Sequence, residues 1–123
     1  MPATAKMKLI AEMVTSRRGR APLVLDVTQN VDEGGYYEIE LLTGTAEEAL
    51  IIIGATQGIE TVQTIIINSD RNILVTLGAA ASNVGIPVDA GGFIAVARTT
   101  LTAVSLSNSS GATANVGVYI GGT

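Results

Sequence analysis

Ser16–Arg20 (SRRGR) places three guanidinium groups within four positions, and Lys6 and Lys8 lie shortly before them. Such a cluster can neutralise phosphates or pair with carboxylates. The nearest aromatic residue, Tyr36, is too far along the chain to offer a stacking platform beside the arginines, and single-stranded nucleic acid needs one. The charge distribution argues the same way. Residues 1–25 carry a net +4 and the other 98 carry −8. An acidic body repels nucleic acid, whereas a basic arm suits an acidic protein neighbour. Lys6, Lys8, Arg17, Arg18 and Arg20 are therefore candidate partner-binding residues, and nucleic acid is not the expected partner.

The acidic residues give a matching candidate. Glu38 and Glu40 alternate along one strand face. They could receive a basic arm from a neighbouring subunit, or simply form the wet face of an edge strand, where charge discourages stray pairing. Asp32-Glu33 and Glu47-Glu48 are the densest acidic pairs. Calcium loops place oxygen ligands at alternate positions before a glycine. Asn30-Val31-Asp32-Glu33-Gly34 only grazes that pattern. A glycoside hydrolase also pairs carboxylates, but sugar platforms are scarce in a chain whose aromatics are Tyr36, Tyr37, Phe93 and Tyr119. There is no histidine and no cysteine, hence no imidazole base, thiolate nucleophile or soft metal ligand. Gly54–Gly58 lacks the Gly-Lys-Ser/Thr ending of a phosphate loop. Asn108-Ser109-Ser110 has the form of a glycosylation sequon but reads as a turn. No enzyme, no metal and no cofactor is expected.

The elements that carry these residues read as strands. Tyr36–Leu42 alternates, with Tyr37, Ile39 and Leu41 on one face and Glu38 and Glu40 on the other. Thr61–Asn68 and Asn72–Leu77 are strands joined by Ser69-Asp70-Arg71, a connection of hairpin length. Phe93–Arg98 and Thr99–Ser107 follow, and Asn108–Gly111 turns the chain into Ala112–Ile120, a closing hairpin. There Ala112, Ala114, Val116, Val118 and Ile120 face the core. Thr113, Asn115, Gly117 and Tyr119 face outward, small enough to admit a second subunit, and are candidate interface residues. Earlier, Lys6–Val14 fits a short helix or an extended arm, Leu23–Thr28 is extended, and Gln29–Gly35 is a turn cluster. Ala46–Leu50 could form one helical turn, Leu50–Ile53 is a strand, and Gly78–Gly92 is a long loop. The expected fold is all-β: an antiparallel β-sandwich or jelly roll over residues 23–123, with an extended basic arm over residues 1–22.

Hydrophobic residues make up 47% of the chain and charged residues 15%, at a mean hydropathy of +0.44. A domain of this size cannot bury so much apolar surface alone, which predicts association with other subunits. No apolar run is long enough to cross a membrane as a helix, and no signal-peptide core is evident, so synthesis in the cytoplasm is expected.

Two stretches carry a resemblance. Thr64–Gly78 (TIIINSDRNILVTLG) and Gly91–Gly122 (GGFIAVARTTLTAVSLSNSSGATANVGVYIGG) combine a strand ending in Asn, a short polar turn, a second strand ending in Leu-Gly, a Gly-Gly-Phe strand entry and a closing hairpin. Over residues 61–122 this layout resembles the C-terminal β-sandwich of many small virion proteins of tailed bacteriophages. The resemblance implies a structural role: a capsid decoration (cement) protein on the virion surface, a homotrimer that binds the major capsid protein. The alternative it allows is a jelly-roll module of a tail or head fibre that binds a host-surface glycan or another tail protein.

Overall fold

The computed structural model describes residues 3–11, 23–31, 33–49, 59–78 and 85–123. Ten strands run in chain order: β1 (Ala3–Ala11), β2 (Leu23–Val31), β3 (Glu33–Leu41), β4 (Thr45–Ala49), β5 (Val62–Ser69), β6 (Ile73–Leu77), β7 (Ile86–Val88), β8 (Phe93–Leu101), β9 (Val104–Asn108) and β10 (Ala114–Gly122). They form three antiparallel sheets: a ribbon of β1 and β2, a front sheet in the order β3-β10-β5-β8, and a back sheet in the order β4-β9-β6-β7. The fold is an all-β sandwich. No described helix is long and apolar enough to cross a membrane.

The pairing is nested. β6 pairs with β7, β5 with β8, β4 with β9 and β3 with β10, like one long hairpin closed from residues 78–85 outward. Lateral pairings of β10 with β5 and β9 with β6 then weld the two halves. Period-two alternation sends one side chain in two between the sheets. Leu41, Ile65, Ile67, Val116, Val118 and Ile120 enter from the front sheet, and Ile73, Val75, Val88, Val104 and Leu106 from the back. Aliphatic side chains suit this thin core, since two sheets pack about 10 Å apart.

Two connections differ from the sequence expectation. β5 and β6 lie in different sheets, and so do β9 and β10. Neither pair is a hairpin; each is an arch that carries the chain across the core. The reason lies in phase. Ser69 is in step with the inward Ile65 and Ile67, and Asn108 with Val104 and Leu106, so each arch turns at a buried polar residue. The two partner strands then face each other through side chains instead of joining by backbone hydrogen bonds.

Smaller differences follow from pairing that overrides local preference. Ala3–Ala11 is a strand against β2, so the extended alternative holds there over the helical one. Leu23–Val31 belongs to this ribbon and not to either sheet of the sandwich. Gly34 and Gly35, expected in a turn, open β3 opposite β10. Thr45–Ala49, whose Ala-Glu-Glu-Ala run suggested a helical turn, pairs with β9. The expected long loop contains β7. Leu50–Ile53 lies outside the described residues.

Candidate functional site

The register of the front sheet sets its outward side chains in rows across β3, β10, β5 and β8. Glu38, Gly117, Asn68 and Phe93 form one row. Tyr36, Tyr119, Ile66 and Ala95 form the next, and Gly34, Gly121, Thr64 and Ala97 a third. The ribbon covers the third row. Ala5 and Val31 are buried against Gly121, where an added Cβ would stand 3.3 Å from Ala5 Cβ and 3.4 Å from Val31 Cγ1. Glycine at 121 lets the ribbon lie close on the sheet there, while a gap remains between Met7, Leu9, Leu25 and Val27 of the ribbon and the alanines at 95 and 97.

The first row stays open. It floors a shallow depression of about 340 Å³ bordered by Tyr36, Glu38, Glu40, Asn68 and Asn115. Glu38, Glu40 and Tyr36 are exposed on edge strand β3. At its upper rim the β5–β6 arch brings Asp70 to Asn115. The Asn115 backbone N–H donates to Asp70 Oδ1 at 2.8 Å, and its amide Nδ2 donates to Oδ2 at 3.0 Å. These donors, with the Arg71 charge beside them, hold the Asp70 carboxyl below the usual carboxylate range. The rim can therefore accept hydrogen bonds from cations or hydroxyl groups. Among the described residues, no three metal-ligating side chains come together.

The candidate residues separate in space. Glu38, Glu40, Asn115, Gly117 and Tyr119 share this outer face, and Thr113 is exposed just before it. Gly117 does not offer the expected room for a second subunit. Its N–H donates to Asn68 Oδ1 at 3.1 Å, and a Cβ there would lie 2.6 Å from Tyr36 Oη. The chain's own Asn68 and Tyr36 occupy the space. Lys6 and Lys8 alternate with the buried Ala5 and Met7, so they stand on the solvent side of the ribbon, Lys8 opposite Asp26. Arg17, Arg18 and Arg20 lie outside the described residues, as do Asp32 and the side chains of Glu33, Glu47 and Glu48. Sequence reasoning missed Asn68, Asp70 and Phe93. For Asp70 the signal was present: an Asn-Ser-Asp-Arg-Asn run is longer and more polar than a tight hairpin requires.

No known protein family, curated protein or solved structure matches the chain.

Proposed function

We propose that this protein is a virion structural protein of the capsid-decoration type, held on a phage head by contacts with the major capsid protein and with copies of itself. The observation that carries the reading is the ribbon. A two-stranded extension with exposed Ile10 and Val24 near its far end, and with Lys6 and Lys8 along its solvent side, lies on the outer face of the front sheet, outside the cluster that the sandwich strands bury between them. The sequence between its strands adds Arg17, Arg18 and Arg20. Apolar and cationic groups on an extended arm suit an acidic protein surface next to the sandwich. The nested pairing supports reading the sandwich as a jelly roll, an architecture used by viral capsid proteins and by lectins.

The test adds the full chain to heads that lack it. Saturation at hundreds of copies per head is expected, with binding weakened at least about tenfold when Lys6, Lys8, Arg17, Arg18 and Arg20 are replaced by Glu. Unchanged binding by that variant removes the arm from the reading. A second reading, a fibre-associated module for a host glycan, draws on the depression. An exposed Tyr36 ring beside amides and carboxylates is the chemistry a sugar needs. Saturation at tens of copies or fewer, on the tail, favours it.

A further inference from the structure

The four edge strands of the sandwich are unequally protected. An edge strand exposes unpaired backbone groups, and soluble proteins guard such edges with charge, proline or shortness. Edge strand β3 presents Glu38 and Glu40, and β4 carries Glu47 and Glu48 in its sequence. β7 is three residues long with Pro87 at its centre. Among the described residues, the Phe93–Ala97 part of β8 has none of these devices. β8 runs nine residues, FIAVARTTL; its pairing with β5 is irregular between Ala97 and Leu101, next to its one charged residue, Arg98, but Phe93–Ala97 keep unbroken register with β5, so their other edge is regular as well.

The ribbon forms a roof over this edge. Met7 on its inward face is 9% exposed, but Leu25, on the same face, is 47% exposed where the ribbon passes β8. Between the roof (Met7, Leu9, Leu25, Val27) and Ala95 and Ala97 lies an open apolar groove of about 260 Å³. An extended strand added to β8 gains backbone hydrogen bonds at the edge and apolar cover from above.

We infer that the strand it receives is β8 of a second copy, antiparallel about a two-fold axis at Ala95. The segment is self-complementary in that register. Phe93, 58% exposed, falls opposite the partner copy's Ala97, where a small side chain beside the groove leaves room for the ring, and Ile94 falls opposite Val96. The two front sheets then join into one sheet of eight strands through an isologous contact. This inference stands independently of the virion reading. It places a two-fold contact where the resemblance implied a trimer.

The chain lacks cysteine, so single thiols can map the contact. Sedimentation of the full-length protein from about 1 to about 100 µM should show a monomer–dimer equilibrium, weakened at least about tenfold by Phe93→Lys. Ala95→Cys should cross-link to itself with a short bis-maleimide reagent. Ala97→Cys alone should not, because the two-fold separates its copies by about 13 Å along the strands. An equimolar mixture of Phe93→Cys and Ala97→Cys chains should cross-link, which keeps the test open if Ala95→Cys fails to fold. A monomer throughout, association unchanged by Phe93→Lys, or cross-linking of Ala97→Cys equal to that of Ala95→Cys overturns the inference.

Discussion

The two arches at one end of the sandwich share a backbone plan and differ in how they use side chains. In each, the carbonyl of the last residue of the incoming strand accepts a hydrogen bond from a left-handed glycine in a neighbouring crossing. Gly91 donates to Ser69 at 2.8 Å, and Gly44 donates to Asn108 at 2.8 Å. Residues with a Cβ rarely adopt such φ values, so these two glycines are fixed by the arch plan. Beyond that the arches diverge. Ser69 works locally: its hydroxyl donates to the Arg71 carbonyl at 2.8 Å, and the exposed Asp70 binds Asn115 across the sheet. Asn108 works at long range. It is 0% exposed, and its amide donates to the Leu41 carbonyl at 2.8 Å and to the Ala112 carbonyl at 2.9 Å. Its Oδ1 accepts from the Ser110 N–H at 3.0 Å and hydroxyl at 2.7 Å. One buried side chain thus ties the end of β3 to the entry of β10. Similar turn sequences can therefore hide different energetic roles, depending on whether the polar groups are dry.

The largest test of this contrast is Asn108→Ala. It takes the buried donor from the Leu41 carbonyl and unties Ala112 and Ser110 from β9, and should cost about 2–4 kcal/mol in urea unfolding. Ser69→Ala should cost less, about 1 kcal/mol, because the groups it releases sit at the arch surface and can reach water. Equal losses from the two substitutions erase the distinction between the arches.

The smallest effect belongs to Asp70→Asn and is read through pH. The carboxyl of Asp70 ionises more readily in the folded chain than in the unfolded one. Its contribution is therefore present above the ordinary aspartate pKa and is lost as the pH falls through the lower folded value. The stability gap between the native protein and Asp70→Asn should be widest near neutrality and close below about pH 4. A gap that stays constant across that range assigns Asp70 no ionic role in the arch.

Alternation in the sequence was enough to place Tyr36–Leu41 and Ala114–Ile120 as strands and to tell their faces apart, because a half-buried strand writes its environment in every second residue, and Thr61–Asn68 was legible as a strand though not its faces. What alternation does not write is which strand lies alongside. Asn108–Gly111 and Ser69–Arg71 have the composition of hairpin turns, and the same residues serve an arch equally well. The distinguishing feature was a polar residue in phase with the apolar set, at Ser69 and Asn108. The ribbon was harder to foresee, since its partner strand lies beyond the basic run and its seat depends on Gly121 in a distant strand. The outer-face depression was half legible. Glu38 and Glu40 were evident from their spacing, but Asn68 and Asp70 reach it only through the register of β5 against β10.

Strand β10 is the last of the ten to be synthesised, yet it is bounded on one side by β3 and on the other by β5. On the ribosome the front sheet must therefore wait, with its centre missing, until the final strand leaves the exit tunnel. Until then Val75 and Leu106, on the back sheet, have no complete layer to face. Such a chain depends on late, long-range closure, the slow regime for β topologies and the one most exposed to aggregation. Without β10, β3 and β5 lose the one strand that joins them.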